Sequence, residues 1–312
     1  MKAILLTIYN YIFPIILRVK KYYHRHNWHY NHTGKIALCC IAKMENLYIR
    51  EFVSHYKELG FDKIFIYDNN DIDGERFDDI IGDYIQLGYC DIIDYRGRKK
   101  CQILAYDDCY NKYKNKYDWI AFFDCDEFLT LVNKDENIHS FLKNKTFLKY
   151  QIIALNWMVF GDNELLTYDS RNLKERFAKP VIPYNFKGSN GIQENNHIKT
   201  IVRCNLKDVK WVESKCGSHA PFTKYIATCN ANGKTISNNQ AIFPFDHSTA
   251  YLRHYSTKTI EEFILGKKNR GFPDSTDEDS KVILSLEYFF RYNKITEKKI
   301  EIAQKLLNKN EQ

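Results

Sequence analysis

Asp124 and Asp126 stand one residue apart, directly after the apolar run Trp119-Ile120-Ala121-Phe122-Phe123. Two carboxylates so spaced at the end of a strand can converge on one hard divalent cation. Oxygen ligands suit Mn²⁺ or Mg²⁺, which in turn bridges a diphosphate. An Asp-x-Asp pair alone is a weak signal, and the strand before it is what makes this one a candidate. Two further polar clusters, 43–46 (Lys-Met-Glu-Asn) and 68–71 (Asp-Asn-Asn-Asp), also follow apolar runs.

The elements that must position these clusters read from the pattern of apolar residues. The continuous run 35–42 is a strand buried on both faces. Ile49, Phe52, Val53, Tyr56 and Leu59 share one helical stripe that Gly60 ends. Residues 63–67 are a strand, 90–94 another, and Ile103, Tyr106, Tyr110, Tyr113 and Tyr117 form a second helical stripe before the strand 118–123. Strand–helix alternation of this kind predicts an α/β fold, a mostly parallel doubly wound sheet with helices on both faces. Ligands of such sheets bind at the carboxyl ends of the strands, where all three clusters fall. The second half is less regular: a strand at 150–156 leading into Trp157-Met-Val-Phe-Gly-Asp162-Asn-Glu164, a polar loop at 185–197 and a short strand at 199–203. Thr259 and Glu262 have capping-box spacing, opening a helix that Gly271 closes. An acidic loop at 274–279 precedes terminal helices at 282–290 and 296–307.

Composition narrows the field. With 44% hydrophobic and 27% charged residues, the 312-residue chain has the makings of a packed core and a solvated surface. The net charge is +7, and Lys2, Arg18, Lys20, Lys21, Arg25 and Lys35 account for nearly all of it, with no acid among the first 35 residues. The remainder is close to neutral and carries no basic stripe, which argues against nucleic acid as a partner. The apolar run 3–17, broken by Pro14, is short for a membrane span. With the basic and aromatic residues after it, residues 1–34 read as an arm that associates with a membrane surface, the body staying on the cytoplasmic face of a bacterial inner membrane. Nine cysteines without a Cys-x-x-Cys pair read as buried free thiols.

Several segments together resemble a known family. Ile41-Ala-Lys-Met-Glu-Asn46, Tyr67-Asp-Asn-Asn70, Gln102-Ile-Leu-Ala-Tyr106, Trp119-Ile-Ala-Phe-Phe-Asp-Cys-Asp-Glu-Phe128 and His254-Tyr-Ser-Thr-Lys258 through Arg270-Gly271 are similar to the family 92 and related family 2-like glycosyltransferases. The resemblance spans about 35–275, with 276–312 a C-terminal helical extension. It implies a GT-A fold, a nucleotide-sugar donor (a UDP-sugar first), a divalent metal (Mn²⁺ or Mg²⁺) and transfer to a hydroxyl. The acceptor would be a growing surface glycan or lipid-linked oligosaccharide, and the transfer inverting.

Carried over residue by residue, Asp124 and Asp126 would hold the metal and diphosphate, with His254 completing that site. Lys43 and Glu45 would face the nucleotide, Asp68 and Asn69 the base or ribose, and Arg98 and Gln102 the donor from the third loop. Lys258 and Arg270 would neutralise the leaving diphosphate. Trp157 and His219 would meet the acceptor. The family carries small residues and a His after its Trp-x-x-Phe-Gly segment, where this chain has Asp162, Asn163 and Glu164. An inverting transfer needs a base for the acceptor hydroxyl. Asp162 is the candidate, ahead of Glu164, Glu194 and Glu213. Two other readings compete: a membrane-tethered glycan-binding or scaffold protein without catalysis, and a metal-dependent nucleotidyl or phosphoryl transferase. The latter would favour a glycine-rich phosphate loop, and the sequence has none.

Overall fold

The computed structural model describes residues 12, 31–181, 194–222, 227–271 and 283–309. Almost all of the arm, most of the polar loop 185–197 and the acidic loop 274–279 lie outside the described residues.

The first half alternates as expected. Strand β1 (Ile36–Ala42) is followed by α1 (Ile49–Glu58), β2 (Lys63–Asp68), α2 (Asp78–Gln86), β3 (Cys90–Asp94), α3 (Gln102–Tyr113) and β4 (Trp119–Phe122). The continuous apolar run of β1 has a direct cause. Leu38, Cys40 and Ala42 enter the core beneath α1, while Ala37, Cys39 and Ile41 enter a second core beneath α3. Helices therefore cover both faces. Two elements of the stretch up to residue 131 escaped the sequence reading. One is α2, whose apolar face is narrow and mostly half-buried. The other is β5 (Glu127–Leu131), which begins directly after the Asp-x-Asp turn.

The second half contributes α4 (Ile138–Leu142), β6 (Ile152–Val159), the single turn α5 (Leu173–Arg176), β7 (Ile198–Arg203), the short β8 (Thr228–Asn230) and β9 (Thr235–Ile236), and β10 (Ala250–His254). The sheet runs β3-β2-β1-β4-β7-β6-β10-β5. β3, β2, β1 and β4 are parallel, whereas β7 is antiparallel to both of its neighbours, β4 and β6. The sheet is thus mixed and mostly parallel.

The capping box forms: the Thr259 side chain accepts from the Glu262 amide, and the Glu262 carboxylate accepts from the Thr259 amide. It opens α6 (Ile260–Glu262), which continues as a π-helical stretch through Phe263–Lys268. The terminal helices α7 (Leu286–Tyr292) and α8 (Glu297–Lys309) pack on it, with Leu284, Phe289 and Ala303 meeting Ile260, Phe263 and Ile264.

The amino-terminal edge of the parallel strands is pinned by polar contacts. Asn31 Nδ2 donates to the carbonyls of Lys114 (2.7 Å) and Tyr117 (2.8 Å). The amides of Thr33 and Gly34 donate to the Asp118 carboxylate at 2.7 and 3.0 Å. All nine cysteines are free and buried. No helix among the described residues is long and apolar enough to cross a membrane.

Candidate active site

A cavity of about 650 Å³ opens at the carboxyl ends of β1, β2 and β4. It gathers the three polar clusters, since Lys43, Glu45, Asn69, Asp71, Asp124 and Asp126 all line it. Strand register explains the convergence. Ala42 pairs with Asp68 and Asp68 with Asp94, so the loops after β1, β2 and β3 begin level with one another. The lining carries seven lysines and arginines against four carboxylates, a surplus of positive charge that suits an anionic ligand.

Asp124 and Asp126 are held differently. Asp124 Oδ1 accepts from Gln102 Nε2 (2.7 Å), Tyr106 Oη (2.8 Å) and Lys199 Nζ (2.9 Å). Its side chain keeps 31% of its exposure, toward the cavity it lines. Its amide donates to Glu127 Oε2 at 2.9 Å, which fixes the turn. Burial pushes the Glu127 carboxyl well above its ordinary range, the nearby Asp124 and Asp126 push the same way, and Lys199 opposes. Asp126 is 5% exposed. Its Oδ2 accepts from Lys267 Nζ at 3.1 Å, Arg270 Nη2 lies at 3.8 Å, and His254 Nε2 lies 3.7 Å from Oδ1. Burial alone would raise the Asp126 pKa, but the neighbouring lysines, Lys267 before Lys258, outweigh it and hold Asp126 ionised. Burial lowers His254 to about 3, against the pull of Asp126, so its imidazole is neutral. Its Nδ1 is buried and without a hydrogen-bond partner.

Lys199 and Lys267 were absent from the sequence reading. Lys199 sits at the start of β7. Because β7 runs antiparallel to β4, its amino end lies beside the carboxyl end of β4. Lys267 lies in the π-helical stretch, outside ordinary 3.6-residue spacing. Arg98 lines the cavity stacked 4.2 Å over the Tyr95 ring, and Asn69 Nδ2 holds the Tyr95 and Arg98 carbonyls at 3.0 and 2.8 Å. Arg270 also lines it, and pairs with Glu45.

Three candidates do not line the cavity. Asp68 is buried against Arg96 at 2.7 Å, and Arg96 also donates to the carbonyls of Asp71, Ile72, Gly74 and Glu75. Asp68 therefore shapes the loop from beneath, while Asp71, paired with Lys43 at 2.8 Å, stands at the cavity wall. Lys258 is buried behind the wall, its ammonium 4.2 Å over the Tyr48 ring. Asp162 lies away from the cavity altogether. It is 4% exposed, its carboxylate pairs with Lys299 of α8, and its amide donates to Asn293 Oδ1 at 2.6 Å. Gly161 makes that approach possible, since a Cβ there would meet Asn293 Oδ1 at 2.6 Å and the Tyr292 carbonyl at 2.9 Å. The reserve acids are no nearer. Glu164 and Glu213 are exposed, and Glu194 faces Arg291 at 3.6 Å.

Trp157 and His219 also line the cavity. The Trp157 ring touches three imidazoles, with centroids 4.1 Å from His254, 5.1 Å from His197 and 5.4 Å from His219. His247 Nε2 lies 2.8 Å from the Trp157 carbonyl. The Trp157 Nε1 has no partner.

No three His, Cys, Asp or Glu side chains among the described residues form a ready-made metal cage. The donor set suits a cation that takes only one or two carboxylates and completes its shell with phosphates and water, the habit of Mg²⁺. Asp124 offers a cavity-facing carboxylate whose three hydrogen bonds all fall on one oxygen, and Asp126 and His254 stand beside it.

No curated protein matches the chain. Among solved structures, it is similar to TarS of S. aureus at 12% identity. The full TarS structure gives a TM-score of 0.37, with 83% of this chain and 43% of TarS covered. A TarS 1–349 structure in complex with UDP gives 0.30 over 43% of this chain and 38% of that one, and the UDP-GlcNAc complex 0.29 over 43% and 37%. The chain thus spans less than half the length of each of these. The model of glycosyltransferase family 92 matches residues 36–280, a stretch that holds every residue of the cavity wall but Tyr288, and the chain belongs to that family of enzymes.

Proposed function

We propose that the protein transfers a sugar from a UDP-sugar to a hydroxyl of a growing surface glycan, with inversion, using Mn²⁺ or Mg²⁺ held by Asp124 and Asp126 beside His254. The observation that carries this reading is the cavity itself, where two carboxylates one residue apart sit among a surplus of lysines and arginines. A nucleoside diphosphate is the ligand class that uses both features at once.

Each residue then has a task. Asn69 and Arg98, joined across the loops after β2 and β3, bound the nucleotide end with Lys43. Gln102, Tyr106 and Lys199 orient Asp124 through one oxygen. Lys267 and Arg270 stand where negative charge develops as the diphosphate leaves, which is where fixed cations favour the transition state. When bound, the metal would supply Lewis-acid neutralisation of the same leaving group. Trp157 offers an aromatic face to an acceptor sugar. The basic arm and a membrane-borne acceptor suit each other, and the cytoplasmic face of a bacterial inner membrane remains the proposed location.

The test is a panel of nucleotide-sugars scored by thermal stabilisation with and without Mn²⁺, since a ligand that binds only the folded state raises the melting temperature. A UDP-sugar that stabilises only with Mn²⁺, and releases UDP when a panel of alkyl glycosides is added, is the expected result. Equal response to free sugars without nucleotide or metal would overturn it.

A further inference from the structure

We propose that His219, through Nε2, takes the proton of the acceptor hydroxyl. This rests on the glycosyl-transfer reading and names the base that it leaves open. Three observations carry it. First, the carboxylates of the cavity wall are engaged on the donor side: Glu45 with Arg270, Asp71 with Lys43, Asp124 with Lys199 and Asp126 with Lys267. Asp162 is sealed against Lys299. Second, His219 lines the cavity beside Trp157, and the same indole contacts His254, whose Nε2 faces Asp126. An acceptor sugar laid against Trp157 therefore has the Asp-x-Asp pair and His219 within the span of one aromatic platform.

Third, the tautomer is fixed. His219 Nδ1 lies 2.9 Å from the Ile198 carbonyl. A carbonyl oxygen only accepts, so Nδ1 carries the proton and Nε2 the lone pair. Burial, with Lys199 and His197 nearby, lowers His219 to about 3, so it is neutral at pH 7. A donor diphosphate bound in the cavity brings negative charge to the wall that His219 shares, and so raises the basicity of the imidazole.

The step balances as follows. The acceptor oxygen forms a bond to the anomeric carbon, and the bond from that carbon to the diphosphate oxygen breaks with its electron pair staying on the UDP. The hydroxyl proton passes to Nε2, giving an imidazolium that returns it to water.

The experiment uses the full chain, UDP-GlcNAc and the other UDP-sugars of the panel as donors, and alkyl glycosides as acceptors. His219→Gln should lower kcat on the order of 10²–10⁴ with donor affinity by titration unchanged. His219→Ala should lose as much and regain part of it on addition of free imidazole. A near-normal kcat in His219→Gln overturns the proposal. So does a loss carried by the acceptor KM with no response to imidazole, or a loss of donor binding. Wild-type protein that binds and turns over no nucleotide-sugar overturns the transferase reading instead, whereas an active wild type beside an active His219→Gln overturns this assignment alone.

Discussion

The proposed donor and acceptor sides of the cavity meet across a few ångströms, yet they are positioned by different physics. On the donor side, placement follows strand register: β1, β2 and β3 are parallel and level, so the loops after them meet at one edge. On the acceptor side, placement depends on polar side chains reaching across the chain. Asn156 Nδ2 holds the Asn195 and Asn196 carbonyls at 3.2 and 3.0 Å, Asn195 Oδ1 accepts from the Val159 amide at 2.9 Å, and Asn156 Oδ1 accepts from the Asp246 amide at 3.2 Å. The lesson is that substitutions on the donor side should remove chemistry from an intact fold, while those of Asn156 and Asn195, which hold the acceptor side, should disturb placement and stability first.

The largest effect should come from the donor side. Asp124→Asn, alone or with Asp126→Asn, should lower kcat by at least about 10³, more than one hydrogen-bond donor to a transition state is worth. The check is UDP release with saturating Mn²⁺, and turnover that persists in EDTA would break the comparison at its root. Next comes Asp162→Asn. Removing one partner of a buried ion pair costs about 3–5 kcal/mol, so urea denaturation should show a large loss of stability, while kcat of the folded fraction stays near normal. A fallen kcat at unchanged stability would return Asp162 to the chemistry. Lys267→Met removes a charged hydrogen bond worth about 1.5–3 kcal/mol, so donor affinity by titration should weaken roughly 10- to 150-fold; an unchanged affinity would take Lys267 out of the donor site. The smallest effect is Thr259→Ala, which removes a helix cap worth about 0.5–2 kcal/mol.

The capping site also sets a pH dependence. Burial would raise Glu262, but Arg176 at 2.9 Å, Thr259 and Tyr48 outweigh it and hold the carboxyl below its ordinary value of 4.5. A carboxyl lowered on folding adds stability that is present above that ordinary value and lost as pH falls through the lower folded one. Melting temperature should therefore fall in acid below about pH 4.5, and Glu262→Gln should flatten that part of the curve.

Much of the donor side was legible because its rules are local. Apolar runs gave β1 to β4, and the carboxyl-end rule gathered Lys43, Glu45, Asn69, Asp124 and Asp126. The same rule concealed Lys199, because β7 runs the other way and presents its amino end at the cavity. Asp68 was misplaced for a related reason: it ends β2, but its side chain meets Arg96, 28 residues on, rather than the cavity. Asp162 was misplaced because its partner, Lys299, lies 137 positions away in a terminal helix that no local pattern connects to it. The tautomer of His219 likewise depends on a carbonyl brought near by the folding of the loop after β7.

The contacts of Asn31, Thr33 and Gly34 fix more than an edge of the sheet. They place residues 31–34 at the amino ends of β1 and β4, and the cavity opens at the opposite ends. The seven residues of β1 separate the two by about 23 Å at roughly 3.3 Å per residue. A substitution at Asn31 therefore acts at the far end of the sheet from the cavity.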